Sequence, residues 1–478
     1  MSASPASRSA ALMRPLPVNR RSEARRLLLR ASNMYRVYAR TVAQRKSLRR
    51  QEGGIAALSP RIRRDVNLLI SAQAVSTFGS FITRAALPLL AILGLGINAA
   101  EAAALAAVDL IAGALISQFA GVWIDRLPRR PVLIAADLLR ATLLGSIPIA
   151  AELFGGVTLP HLIAVSALSG MCTTTFDIAE RSYVAGLVNS PSLRAVLART
   201  LAIRGAAEFF GFGVAGLLVG AFGGPAAIGV DAATYLVSAI FIARLRVAEP
   251  ANPSAQSNSN VIGEFLAGLT AIWSVVLMRP MLIATFIIGL YFGLFRSSYM
   301  LYVTNGLGLG PEAIGGIIAT GGIAAFLGGA LTERISRALG VGRAISYSLV
   351  IVGVGLLLVP LAPGPTLLGF TMLIGHQLLS DGFETVWEAN QSAIRGRVLP
   401  SAFQGRANAA NDGVGILGRL LGIIVGGAIG SSAAGSGAAL VVGGVASIAV
   451  GIFVGLSRLG GINSLSEIPT SGNRRRSQ

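Results

Sequence analysis

Charge is scarce in this chain. Asp, Glu, Lys and Arg make up 13% of its 478 residues, against roughly 25% in a soluble globular domain. That deficit excludes an ordinary water-soluble fold. Acids are scarcer still, with 21 Asp and Glu against 40 Lys and Arg, for a formal charge of +19. There is a single cysteine, Cys172, so no intrachain disulfide can form. The two histidines, His161 and His376, have no metal-ligand spacing around them, and no metal or cofactor is called for. A phosphate-cradling GxxxxGK[ST] loop is missing, and so is a nucleophile-base constellation. Neither ATP-driven work by this chain alone nor enzymatic catalysis is expected.

What the chain has is apolar length. Hydrophobic residues are 53% of the total and the mean hydropathy is +0.69. From about Val66 to about Leu456 the sequence runs in segments long enough to cross a bilayer as helices. Helices are required there, because lipid satisfies no exposed backbone group. Twelve spans are read, at 66–93, 100–122, 131–153, 160–183, 201–221, 224–245, 279–304, 311–334, 341–361, 365–389, 407–429 and 437–456. The 59 glycines suit close helix approach in lipid.

A charged turn occurs twice. Gly121-Val-Trp-Ile-Asp125-Arg126-Leu-Pro-Arg129-Arg130 joins spans two and three, and Gly329-Ala-Leu-Thr-Glu333-Arg334-Ile-Ser-Arg337 joins spans eight and nine. An offset of about 207 also brings Phe176-Asp177 onto Phe383-Glu384 and Arg199 onto Arg406. The expected fold is therefore an all-α membrane protein of twelve transmembrane helices, in two six-helix bundles (66–245 and 279–456) related by a pseudo-two-fold repeat. Such repeats place a substrate site between the halves, near the bilayer midplane. Alternate connections carry arginine and the others carry no Lys or Arg, which puts both termini in the cytoplasm.

At these residues the chain resembles the major facilitator superfamily over 66–456. The turn Gly121…Asp125-Arg126…Arg129-Arg130 is similar to that superfamily's signature between spans two and three, with Pro128 in place of the usual glycine. Pro131-Val-Leu-Ile-Ala-Ala-Asp137-Leu-Leu-Arg140 and Gly405-Arg406-Ala-Asn408 resemble the branch of macrolide-efflux and enterobactin-exporter-like drug efflux proteins. The resemblance implies export of amphipathic small molecules, often in exchange for protons. Phe212 stands where many antiporters have proline, Ser80 where the branch often has Asp, and span four has no embedded arginine.

Several groups are candidates for mechanism. Gly121, Asp125, Arg126, Arg129 and Arg130, with Asp177 and Glu180 as partners, can form a conformational latch at the helix ends. Glu333, Arg334 and Arg337 with Glu384 repeat it in the second half. The alternative is that these arginines only hold the topology. Charges inside a span are functional hypotheses by default. Arg84 lies about 28 Å up span one and Asp109 about 24 Å up span two. They read either as a structural ion pair or as a proton-titrating Asp109 beside Arg84. Asp381 on span ten is the second proton-coupling candidate, with Glu384 and Glu388 on its face. Asp412 and Arg419 on span eleven form a further possible pair. Arg84, Tyr291, Phe295, Arg296, His376 and Gln377 are the candidates for a substrate cavity, where an aromatic wall with a cation suits an amphipathic solute. Tyr299 and Tyr302 read as an interfacial aromatic belt.

Residues 1–65 hold sixteen basic residues against Glu23, Glu52 and Asp65. This basic arm reads as a tether to anionic lipid, as a transit peptide, or as a start codon set too far upstream. It gives no reason to expect a nucleic-acid partner. The linker 246–278 includes a short amphipathic helix from Val261, expected on the membrane surface. Residues 457–478 form a tail. The functional expectation is a proton-coupled exporter of a hydrophobic or amphipathic small molecule. The alternatives are a siderophore, lipid or metabolite carrier, or a non-transporting scaffold or sensor.

Overall fold

The computed structural model describes residues 58–124, 127–188, 190–247 and 261–467. The basic arm up to residue 57, Asp125, Arg126 and residues 248–260 of the linker lie outside the described residues.

Among the described residues, the first half contains six helices. They are α1 (Pro60–Leu89), α2 (Ala99–Ile124), α3 (Arg129–Leu153), α4 (Leu159–Leu187), and α5 and α6, which run together as Ser190–Ala243. Gly223, at φ 82° and ψ 165°, breaks that segment, so α5 is 190–222 and α6 is 224–243. A short α7 (Val261–Trp273) follows. The second half is α8 (Arg279–Leu301), α9 (Pro311–Leu339), α10 (Val341–Leu361), α11 (Leu367–Val398), α12 (Ser401–Gly430) and α13 (Gly435–Leu456).

Ten of these segments are long and apolar enough to cross a membrane. One of them, Ala195–Ala243, holds both α5 and α6. The remaining span is α11, which has the length but carries Asp381, Glu384 and Glu388. The twelve expected spans are therefore present. Several run further than expected. α1 starts at Pro60, α5 at Ser190 and α11 ends at Val398, because a helix continues past the apolar run that marks the bilayer. Local signals set the ends. Thr366 Oγ1 accepts from Gly369 N at 3.1 Å at the start of α11, and Pro311 occupies the first turn of α9.

The repeat is visible in the backbone. α1 and α8 both end in a π turn, Leu90–Gly94 and Tyr302–Gly306. The left-handed glycines that follow, Gly96 and Gly308, are 212 residues apart, as are Gly223 and Gly435. The contacts between halves repeat too. On one side Gly216 of α5 meets Gly315 and Pro311 of α9. On the other, Gly427 of α12 meets Ala103 of α2.

Both contacts lie toward the loops that lack arginine, and the core follows the same pattern. One apolar cluster, including Leu89, Val219, Val303, Leu309 and Ile314, runs through both halves at that end. Toward the arginine-rich turns the core divides. Val66, Leu133, Tyr183 and Ile242 belong to the first half, while Met281, Ile345, Trp387 and Val454 belong to the second. The halves are joined at one end and parted at the other.

α7 is a short helix in the linker, and it packs on α12. Gly268 sits against the Arg406 carbonyl, Phe265 against Gly413, and Glu264 is 3.9 Å from Arg406.

Candidate functional site

The space between the parted halves is lined by charge. Asp109 of α2 and Arg296 of α8 form an ion pair across it, Oδ2 to Nη2 at 2.6 Å, with side chains 31% and 39% exposed. Each side chain thus keeps access to solvent inside an apolar bundle. Arg84 of α1 is exposed, stacked 4.9 Å over Phe81. Its electrostatic neighbours are Arg296, Arg204, Glu208 and Asp109. Arg419 of α12 has Arg296, Glu384, Glu388 and Asp109 around it. Residues from α1, α2, α5, α8, α11 and α12 therefore share one electrostatic field.

This corrects the expected pairing. Asp109 does not bond Arg84 but reaches Arg296 in the other half. Depth along a helix fixes height and leaves direction open, and α2 turns Asp109 toward α8. Arg419 and Asp412 are also separated. Arg419 faces the α11 carboxylates, and Asp412 acts on Arg395 and Glu388.

Asp381 lies where α11 crosses α9. A Cβ on Gly321 would come within 2.0 Å of its Oδ2, so the bare glycine makes the room this carboxylate occupies. Its electrostatic neighbour from the first half is Glu208. Glu384, expected in the second latch, instead joins Glu388, Asp381, Arg419 and Glu208. Glu333 and Arg337 pair with each other at 3.5 Å along α9, with 83% and 70% exposure. Arg334 beside them is exposed. The second charged turn is thus an open, solvated face, and Glu384 belongs to the central cluster.

In the first half, Gly121 lies in the last turn of α2, Asp125 and Arg126 lie outside the described residues, and Arg129 is buried. Arg130 donates to the Ala243 carbonyl, so this part of the turn caps the end of α6. Asp177 is exposed, with Arg181, Arg140 and Arg204 as its cationic neighbours. Glu180 is 8% exposed and accepts from Gln73 Nε2 of α1 at 3.1 Å.

The aromatic wall is mostly interior. Tyr291, Tyr299 and His376 are 2%, 4% and 1% exposed. Phe295 stacks on Tyr299 at 4.5 Å, and both rings lean on His376. His376 Nδ1 is 3.1 Å from Ser380 Oγ, and Gln377 donates to the Ile318 carbonyl at 3.2 Å. Tyr291, His376 and Gln377 are therefore packed core in this conformation, not cavity lining. Tyr299 is likewise core, not an interfacial belt. Of the cavity candidates, Arg84 and Arg296 face open space.

The sequence reading missed a buried cluster in the first half, Asp137, Arg140, Asp231 and Tyr235. The i, i+3 spacing of Asp137 and Arg140 was its available signal. Among the described residues, no group of three or more His, Cys, Asp or Glu could hold a metal ion.

Residues 69–379 match the Major Facilitator Superfamily. The chain belongs to that superfamily. It is a transporter of the superfamily and not an enzyme, and transporters of this fold bind small-molecule substrates. No curated protein matches it by sequence. Among solved structures, this major facilitator is similar to the nucleoside transporter NupG, at 16% identity and TM-score 0.65, over 82% of this chain and 98% of the other. A bacterial homologue of the iron transporter ferroportin, in an inward-facing state, is similar at 18% identity and TM-score 0.61, over 82% and 98%. An auto-inhibited peptide transporter of the POT family is similar at 14% identity and TM-score 0.64, over 82% and 96%. At such identities the likeness is one of fold.

Proposed function

We propose that this major facilitator is a proton-coupled secondary transporter that exports a hydrophobic or amphipathic small molecule by alternating access. The observation that carries the proposal is the charged space between the halves, bridged by Asp109 and Arg296 and closed at the end where Gly216 meets Gly315. The arginine-rich turns assign that open end to the cytoplasm by the positive-inside rule. Both termini are then cytoplasmic, the membrane is a plasma membrane (a bacterial inner membrane), and the conformation faces inward. Solute enters between the halves, and a tilt that parts the glycine contacts opens the other side. Asp381 and Asp109 remain the candidates for coupling, a reading supported by the charged neighbours each has in the opposite half. The charged turns at 121–130 and 329–337 bias the tilt, and the basic arm at 1–65 rests on anionic lipid.

A second reading, a carrier of a siderophore, lipid or other metabolite, is supported by the walls themselves. Arg84 and Arg296 are exposed there while the aromatic rings are packed away, which suits a solute with an anionic group.

Reconstituted vesicles test both. A fluorescent amphipathic dye should move against its gradient when a pH gradient is imposed and stop when that gradient is dissipated. Equal flux without the gradient overturns proton coupling. No flux of any dye, with flux of a carboxylated amphiphile, selects the second reading. No flux of either overturns both readings of the substrate.

A further inference from the structure

The first half hides a polar cluster away from the central space. Asp137 and Arg140 of α3 pair at 2.5 Å, with side chains 0% and 4% exposed. The Arg140 guanidinium also lies 4.6 Å from the Phe176 ring centre and 4.3 Å from that of Tyr235. It is held by one carboxylate and two ring faces. The Tyr235 hydroxyl shares a 2.7 Å hydrogen bond with Ser80.

One turn before Tyr235, Asp231 is 1% exposed. Its Oδ1 accepts from Thr234 Oγ1 at 3.1 Å, while its Oδ2 is buried with no hydrogen-bond partner. Thr83 of α1 faces Asp231, and Ser238 faces Asp137. Yet Thr83 Oγ1, Ser238 Oγ and Asp137 Oδ2 are also buried beyond hydrogen-bond geometry. Gly79 completes the recess. A Cβ there would lie 2.1 Å from Thr234 Oγ1 and 2.3 Å from Asp231 Oδ1.

The charges do not balance. α3 supplies Asp137 and Arg140, α6 supplies Asp231 and the neutral phenol of Tyr235, and α1 supplies the hydroxyls of Ser80 and Thr83. From α4, Asp177 acts on Arg140 with Arg181 beside it. Arg140 is bonded to Asp137, so Asp231 is left without a cation of its own. A buried carboxylate with an orphan oxygen, sharing Arg140 with Asp137, is costly, and the Thr83 hydroxyl, which faces it outside hydrogen-bond geometry, leaves room for a ligand.

We propose that Asp231 is a binding site for one small unit-positive charge, a proton or a sodium-sized cation, held between α6 and α1 with the hydroxyls of Thr83 and Thr234. The donors are hard oxygens, which suit those two ligands and not a transition metal. Both helices belong to one half, so the site is distinct from the charges between the halves and stays intact as the halves tilt. Transport coupled through it would need the occupant to exchange along α1, whose Phe81 also packs on Gly211 of α5.

The experiment reads occupancy rather than flux, so its outcome is independent of the export reading. The full chain is purified in detergent. Infrared difference spectra across the neutral pH range, in potassium chloride, report a protonated carboxyl. Thermal unfolding in sodium chloride against choline chloride, at equal ionic strength, reports a metal cation. The wild-type protein should respond in one arm, and Asp231→Asn should remove one carboxyl band from the infrared difference or abolish the sodium-dependent shift. A response in neither arm, or an unchanged response in Asp231→Asn, overturns the proposal. Should Asp231→Asn fail to fold, Thr83→Val keeps the carboxylate. It should move the pH midpoint or the sodium half-saturation, and an unmoved midpoint overturns the site.

Discussion

Asp109 and Arg296 bridge the two halves at 2.6 Å, from α2 to α8, with both side chains still open to solvent. A pair so exposed contributes little to stability, about 0–1 kcal/mol. Its importance is positional, since any tilt that separates α2 from α8 must break it. Asp109→Asn and Arg296→Gln should each leave the unfolding temperature nearly unchanged and reduce transport. The Asp109→Arg/Arg296→Asp exchange should restore part of it. Loss of thermal stability with unchanged flux would count against a role in the cycle.

The glycine contact makes a sharper demand. A Cβ on Gly216 would lie 2.5 Å from the Pro311 carbonyl and 2.9 Å from the Gly315 Cα. Overpacking of this kind costs about 1–3 kcal/mol. Gly216→Leu should destabilise the conformation closed at this end. Single cysteines introduced here in a Cys172→Ser background should label faster with a membrane-impermeant reagent. Equal labelling rates would show that the contact is not the closing one.

Within the first half, Asp137→Ala should leave Arg140 buried and unpaired. Breaking a buried pair by one partner costs about 3–5 kcal/mol, so yield and thermal stability should fall together. Asp137→Leu/Arg140→Met should recover much of the loss. A single mutant as stable as the parent would refute the pairing.

Asp65 is 1% exposed and accepts from the amides of Arg246 and Val247 at 2.8 and 2.7 Å. It ties the exit of α6 to the foot of α1. Asp65→Ala should cost about 1–3 kcal/mol and speed tryptic cleavage at Arg246, measured by limited proteolysis. An unaltered cleavage rate would argue against the tie.

The first charged turn yields a functional prediction. Asp125→Asn should cut flux in vesicles while leaving membrane insertion intact. Unchanged flux would reduce the turn to a topology signal.

Much of this fold is legible in the amino-acid pattern. Apolar length marks the spans, and the paired turns at Asp125 and Glu333 announce the repeat that the π turns at Leu90–Gly94 and Tyr302–Gly306 display in the backbone. The site is legible only by residue type. Depth arithmetic placed Arg84 and Asp109 level, but the direction each side chain takes around its helix is set by packing, and Asp109 found Arg296. For the same reason Tyr291 and His376, promising by composition, turned into the core. Asp231 passed unnoticed because a lone acid in an apolar run carries no partner in its own sequence, and its neighbours come from α1 and α3.

The two glycine contacts, Gly216 with Gly315 and Gly427 with Ala103, sit on opposite flanks of the molecule at the same end. Closure at this mouth is therefore a matter of two seams, one on each flank. Both must part together for the mouth to gape, and a covalent tie across either one alone would hold the halves as they stand.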